Sequence, residues 1–152
     1  MKKGFMKKFM KKGFEETFMD AQASTVSVSL ELLDINNIKA DKVYIYLYQS
    51  NAQLFYHAFF EKEKKIYRLN DLFSDEQIHE YFACLQEDLS NIVDVCNSFG
   101  KKCPCEFRLI YNINTGSFDS KYNYDDITSN GKKDLVDIYL DWRKECEDAL
   151  NK

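Results

Sequence analysis

Two neighbouring segments of the chain, residues 106–111 and 118–124, nearly alternate apolar and polar side chains. This period of two is typical of β-strands that bury one face. The residues between them are Asn112-Ile113-Asn114-Thr115-Gly116, and they include the Asn and Gly that a reversing turn needs for positive φ angles. The sequence therefore predicts a β-hairpin in this part of the chain.

Three more strands are predicted upstream of the hairpin. In residues 42–49, Val43, Ile45 and Leu47 alternate with Tyr44, Tyr46 and Tyr48. A second strand covers residues 53–61 after a turn at Ser50-Asn51, and residues 65–70 form a third, shorter one. Because the connections are short, we expect these strands to form an antiparallel meander.

Three helices complete the predicted elements. The first covers residues 15–36, although residues 24–29 also alternate as a strand would, and its apolar stripe is Phe14, Phe18, Ala21, Val28, Leu32 and Ile35. The second begins at Ser74, which forms a capping-box pattern with Gln77, and ends at Gly100. The third begins after Ser129-Asn130-Gly131 and runs to the C-terminus, with Leu135, Ile138, Tyr139, Trp142, Cys146 and Leu150 as its buried stripe.

The predicted element order is α-β-β-β-α-β-β-α. It indicates an α+β fold with a single antiparallel sheet of about five strands and the helices packed on one face. We expect residues 14–152 to form a single domain. Residues 1–13 read as a basic, low-complexity and poorly ordered leader; as alternatives, this segment could bind an anionic membrane surface or nucleic acid.

The charge is divided unevenly along the chain. The net charge is −4, but residues 1–12 hold six lysines and no acid, which leaves 15 basic against 25 acidic residues in the remainder. A body with a net charge of −10 repels nucleic acid and anionic membranes, and favours either a basic partner or simple solubility. We therefore expect no direct binding of nucleic acid.

The cysteines and the hydropathy pattern favour a cytoplasmic protein. Five cysteines are an odd number, the N-terminus lacks the pattern of a signal peptide, and no apolar run approaches the length of a membrane span. We expect free thiols in a reducing cytoplasm.

Candidate catalytic and metal-ligating residues are few. Cys103-Pro104-Cys105 is a single C-x-C pair, whereas structural zinc sites draw on two separated Cys or His pairs. His57 lies in a predicted strand and His79 on a predicted helix, and neither belongs to a nucleophile, P-loop or dinucleotide motif. We expect no enzyme, no metal and no cofactor.

Two patterns could form a partner-binding surface. Tyrosines on the predicted strands could bind a protein, form a second packing layer or stack on single-stranded nucleic acid, and the acidic charge argues against the last of these. The third helix carries an acidic stripe that is either a solvated face or a surface for a cationic partner. These residues are Tyr44, Tyr46, Tyr48, Tyr122 and Tyr124, and Asp134, Asp137, Asp141, Glu145 and Asp148.

The chain resembles the YezG-like family, small immunity proteins (antitoxins) of bacterial polymorphic toxin systems. The resemblance covers roughly residues 14–147 in element order and its motifs are structural. Three stretches carry the resemblance. Residues 40–48 (ADKVYIYLY) resemble the first strand of the family, and Phe99-Gly100, Pro104 and residues 106–111 resemble its central segment. Residues 115–118 resemble its turn, residues 121–125 its last strand, and the helix that contains Trp142 its closing helix.

The resemblance implies that the protein binds a cognate toxin, often a nuclease domain, and neutralises it by stoichiometric occlusion. From charge and aromatic character we predict the contacts Asp119, Asp125, Asp126, Asp134, Asp137 and Asp141, with Tyr122 and Tyr124 as aromatic anchors. The alternative is a cytoplasmic interaction module that the basic leader brings to membranes. Deleting residues 1–13 would abolish the location of such a module, whereas an immunity protein would still neutralise its toxin.

Overall fold

The structure is a computed structural model that describes residues 13–128 and 134–151. Residues 1–12 of the predicted leader and the predicted helix-start signal Ser129-Asn130-Gly131 lie outside these ranges. In chain order the elements are α1 (Phe14–Ile35), β1 (Lys42–Ser50), β2 (Gln53–Lys62), β3 (Lys65–Arg68), α2 (Leu69–Leu72), α3 (Asp75–Ser98), β4 (Glu106–Asn112), β5 (Phe118–Asn123) and α4 (Leu135–Leu150).

The strands form one antiparallel five-stranded sheet in the order β3-β2-β1-β4-β5. Tyr44 at the centre pairs with Phe59 of β2 on one side and with Ile110 of β4 on the other. The α+β class and the five-stranded antiparallel sheet are therefore confirmed. In the hairpin turn, Gly116 has a φ of 77° and the Asn112 side chain accepts hydrogen bonds from the backbone of the turn.

The predicted element order is wrong at one point, because the third strand ends at Arg68 and a short helix follows. The Asp71 carboxylate accepts hydrogen bonds from the Arg68 backbone N (2.8 Å) and from Arg68 Nη2 (2.9 Å). These bonds satisfy a backbone donor at the start of α2, as a capping box does. Residues 69 and 70 therefore belong to a helix and not to the strand.

The predicted placement of the helices on one face is also wrong. Helices α1 and α3 cover the face that carries Val43, Ile45 and Leu47, which we call the aliphatic face. Helix α4 covers the opposite, tyrosine face, on which Tyr44, Tyr46 and Tyr48 lie. The physical reason is that both sets of side chains on β1 are largely apolar, so burying only one set would leave three aromatic rings in water.

Helix α1 includes the segment that also alternated as a strand would. The hydroxyls of Thr25 and Ser29 bond backwards to the carbonyls of Gln22 and Thr25, so these polar side chains are satisfied inside a helix. Ser29 also shares a 2.6 Å hydrogen bond with Tyr81 of α3, which joins the two helices. The apolar stripe is confirmed over most of its length, but Ile35 is 66% exposed.

Helix α3 begins and ends as its signals predict. Ser74 Oγ accepts from Gln77 N at 3.2 Å, and the Gln77 side chain accepts from Ser74 N, which completes the capping box. Gly100 follows the helix with a φ of 65°, a conformation that glycine adopts without the steric cost of a Cβ atom. The buried side chains of α3, from Tyr81 to Cys96, pack on the aliphatic face.

Candidate partner-binding surface

Helix α4 carries three of the predicted partner-binding residues. Asp137 and Asp141 are exposed and lie one helical turn apart. Asp134 directly precedes the helix, and its carboxylate accepts a hydrogen bond from Asp137 N at 2.9 Å. Asp134 therefore caps the helix and fixes the first turn. Buried Tyr139 and Trp142 on the inward side of α4 hold these acids outward.

Two apolar side chains beside these acids were missed by the sequence analysis. Val136 is 51% exposed and Leu140 is 39% exposed, and each directly precedes one of the two exposed aspartates. The signal was available, since both fall outside the apolar stripe that helical spacing predicts for α4. We call Val136, Asp137, Leu140 and Asp141 the α4 surface.

Asp119 lies apart from the α4 surface, in a groove between α4 and strands β4 and β5. The groove has a volume of about 200 Å³, and Arg108, Asp119, Lys121 and Glu145 line it with Trp142. Arg108 contacts Glu106 at 3.4 Å and Glu145 at 3.9 Å, and its guanidinium lies 5.8 Å from the centre of the Trp142 ring. Glu145, at the far end of the predicted acidic stripe, is therefore paired within the protein.

The Asp126 carboxylate has a structural role. It accepts hydrogen bonds from the Tyr48 hydroxyl, from Thr128 (Oγ1 2.7 Å, N 3.0 Å) and from Ser50 Oγ at 3.1 Å. The bonds from Tyr48 and Thr128 lower the pKa of Asp126 to about 2. Asp126 thus joins the end of β1 to the segment after β5, and its oxygens are occupied in the free protein.

The two predicted aromatic anchors lie in different environments. Tyr122 is on the aliphatic face, where its ring packs against Phe18 and Phe107 and its hydroxyl donates to Gln22 Oε1 at 3.0 Å. Tyr124 follows the end of β5 and is 45% exposed, and Asp125 beside it is exposed as well. Of the two tyrosines, Tyr124 alone presents much of its ring to solvent.

Tyr44, Tyr46 and Tyr48 form a second packing layer, one of the alternatives left open by the sequence. All three are buried beneath α4. Their hydroxyls donate to Glu61, Glu106 and Asp126 respectively. Each ring therefore packs against apolar neighbours while its hydroxyl is hydrogen-bonded to a carboxylate. Burial, followed by the adjacent carboxylate, raises the pKa of Tyr44 and Tyr46 well above the usual range. These rings are not available to a partner.

His57 is half-buried at the edge of the sheet, where its ring stacks on Tyr139 of α4 with 4.3 Å between the centroids and meets Phe82 of α3 edge-on. Its Nδ1 accepts a hydrogen bond from Ala58 N at 2.9 Å. Burial lowers the pKa of His57, and the positive charge of Arg143 lowers it further. The folded protein therefore favours the neutral ring.

This environment predicts a pH-dependent stability. Above about pH 6.5 the His57 ring is neutral in the folded and unfolded states, so its full contribution is present. As the pH falls below this value the unfolded chain takes up the proton first, and the free energy of unfolding should decrease until the folded pKa is passed. Urea titrations between pH 8 and pH 5.5, above the range of most carboxylates at about 4, would measure this decrease.

The chain offers a matched control, because its two histidines differ in burial. His57→Gln should cost about 1–2 kcal/mol at pH 8 through lost stacking, but flatten the dependence on pH. His79 is exposed on α3, and His79→Gln should leave the dependence unchanged. An unchanged slope in His57→Gln would contradict the assignment.

The cysteines are free thiols, and Cys96 and Cys105 are buried. Within residues 13–128 and 134–151, no group of three or more His, Cys, Asp or Glu side chains is placed to hold a metal ion. None of the helices in the described part of the chain combines the length and the apolar character that crossing a membrane requires.

The eight predicted contacts therefore do not form one continuous site. Asp134, Asp137 and Asp141 lie together on α4, whereas Tyr122 lies on the opposite face of the sheet. The exposed members that remain are Asp119, Tyr124 and Asp125. On the α4 surface exposed acids and exposed apolar side chains adjoin, as they also do where Ile35 follows Asp34 at the end of α1.

No model of a known protein family matches the chain, and a search of curated proteins also finds no match.

Proposed function

We propose that this protein is a cytoplasmic immunity protein that binds a cognate bacterial toxin with a basic nuclease domain and neutralises it by stoichiometric occlusion. The observation that carries the proposal is the α4 surface. Exposed Asp137 and Asp141 adjoin Val136 and Leu140, which are 51% and 39% exposed. Interfaces combine such an apolar centre with charges that select and orient the partner.

The charge of the protein supports this choice of partner. A nuclease must hold phosphates and therefore presents a cationic surface. Outside residues 1–12 the chain holds 25 acidic and 15 basic residues, so its field attracts such a surface over several ångströms. An acidic protein that covers the cationic surface prevents the substrate from binding, and it needs no catalytic group to do so.

The resemblance to the YezG-like family supplies the class of partner. A separate feature that supports binding is the firm attachment of α4 to the sheet. Trp142 and Tyr139 lock the helix against the sheet, so the α4 surface is presented on a rigid element. A rigid surface loses little conformational entropy when a partner binds.

The test begins with the full chain, tagged and isolated at low salt from its native cells. We expect one basic toxin to co-purify stoichiometrically and to dissociate as the salt concentration rises. The variant Asp137→Lys/Asp141→Lys should then slow association with that toxin by about 10- to 100-fold and reduce its neutralisation.

A matched control reverses two exposed acids elsewhere. Glu87 and Asp94 lie exposed on α3, so Glu87→Lys/Asp94→Lys changes the net charge equally on the opposite side of the sheet. It should retain most of the association rate. Equal losses in both variants would show a general charge effect and refute the α4 surface, and the absence of any stoichiometric partner in cells that express the toxin would refute the function.

A further inference from the structure

Strand β5 is the last strand of the sheet, and among the described residues it pairs with β4 alone. Asn112 N donates to Ser117 O at 2.9 Å, so Asn112 and Ser117 form a hydrogen-bonded pair, and every second residue pair along the two strands does the same. Because backbone groups alternate in direction along an antiparallel strand, those of Asp119 and Lys121 point to β4. Those of Phe118, Ser120 and Tyr122 point outward from the sheet.

At the opposite edge of the sheet, side chains bond to outward backbone groups. Strand β3 pairs only with residues 59–62 of β2, so the preceding part of β2 lies at the edge. There Ala58 N donates to His57 Nδ1 at 2.9 Å, and Ala58 O accepts from the Tyr139 hydroxyl at 3.2 Å. Side chains thus satisfy the outward backbone groups of Ala58. In the described part of the chain, no side chain bonds to the outward backbone groups of β5.

The β5 edge is complementary to itself. The sequence Phe118-Asp119-Ser120-Lys121-Tyr122 places an aromatic residue at each end and opposite charges on either side of Ser120. Asp119 and Lys121 are exposed on the tyrosine face, whereas Phe118 and Tyr122 are on the aliphatic face. Lys121 pairs in register with Arg108 of β4, so a negative charge is favourable on its other side.

We propose that two copies of this chain associate through their β5 edges, antiparallel about a two-fold axis at Ser120, and so form one continuous ten-stranded sheet. In this register Asp119 of each copy lies opposite Lys121 of the second copy. Phe118 lies opposite Tyr122 of the second copy on the other face. Such an interface is isologous, as the symmetry of a closed dimer requires.

Charge selects this register over its neighbours. A shift that keeps the two faces continuous places either Asp119 opposite Asp119, or Lys121 opposite Lys121, and like charges directly opposite are unfavourable.

The first experiment is a charge exchange read out by analytical ultracentrifugation of the full chain. The wild type should dimerise reversibly at micromolar to millimolar concentrations. Asp119→Lys and Lys121→Asp should each weaken the dimer by about tenfold or more, since two attractive pairs become repulsive. The double variant Asp119→Lys/Lys121→Asp should restore it. Lys65→Asp, on β3 at the opposite edge, changes the net charge by the same amount as Lys121→Asp and should have no effect on the dimer.

A second variant tests the backbone. Ser120→Pro removes an outward N–H while sparing the ladder to β4, so it should yield a folded monomer with an unchanged far-UV circular dichroism spectrum. If this variant fails to fold, the charge exchange still decides. A monomeric wild type at 1 mM, or a dimer that persists in both single charge variants, would overturn the proposal.

The register can be read directly. A carbodiimide joins carboxylates to amines in contact, so in a mixture of ¹⁴N- and ¹⁵N-labelled chains it should link Asp119 of one copy to Lys121 of the other. Mass spectrometry distinguishes this mixed peptide from a link within one chain. Links between copies at other sites, without this one, would refute the register.

Discussion

Trp142→Ala is expected to destabilise the protein by about 3–5 kcal/mol. Trp142 is 5% exposed and is the only tryptophan of the chain. Its ring centroid lies 5.2 Å from that of Phe59, 5.9 Å from that of Tyr46 and 6.0 Å from that of Tyr44. Removing the indole therefore leaves a cavity between α4 and the sheet, with few flexible neighbours to fill it.

The measurement is urea unfolding followed by far-UV circular dichroism, since the variant has no tryptophan fluorescence. Trp142→Phe keeps an aromatic ring and should cost less, about 1–2 kcal/mol. Val136→Ala, on the exposed side of the same helix, should change the stability by less than about 0.5 kcal/mol. If Trp142→Ala cost no more than Val136→Ala, α4 would not pack on the tyrosine face.

The second large effect is expected for Tyr46→Phe, at about 1.5–3 kcal/mol. The Tyr46 hydroxyl donates to Glu106, a residue that is 6% exposed. Removing the hydroxyl leaves a largely buried carboxylate that keeps, among residues 13–128 and 134–151, only Arg108 Nη2 at 3.4 Å as a partner. The loss is greater than for an exposed bond because water cannot replace the missing donor.

Tyr56→Phe provides the matched control. Tyr56 lies on the neighbouring strand, and its hydroxyl donates to Gln86 Oε1 at 3.0 Å in an exposed position. Its removal should cost less than about 0.5 kcal/mol. A double-mutant cycle of Tyr46→Phe with Glu106→Gln should show coupling of more than about 1 kcal/mol. Additive effects would mean that the two groups do not interact in solution.

Local signals predicted the secondary structure well where each element contains its own determinants. The period-2 strands, the Ser74 capping box and Gly100 depend on residues a few positions apart, so the chain can be read without its tertiary structure. The short helix α2 was missed because its N-cap is Arg68, a residue type that N-caps do not favour, and because four residues are too few to show a helical period.

The placement of α4 was harder to predict, because tyrosine suits both a solvated and a buried face. The useful signal was the absence of charge between Val43 and Gln49, since strands buried on both faces read as continuous apolar runs. For the candidate site, sequence identified acids but not their partners. Asp126 and Tyr122 are engaged by residues far along the chain, such as Tyr48 and Gln22, and only the fold brings these together.

The two-sided burial of β1 has an evolutionary consequence. The side chains from Val43 to Tyr48 are buried, so substitutions at Tyr46 or Ile45 lower the free energy of unfolding. The outward acids of α4 are exposed, and substitutions there are nearly neutral for folding. Under the proposed function, substitutions at Asp137 or Leu140 can change the choice of partner while selection on the rest of the helix preserves the fold.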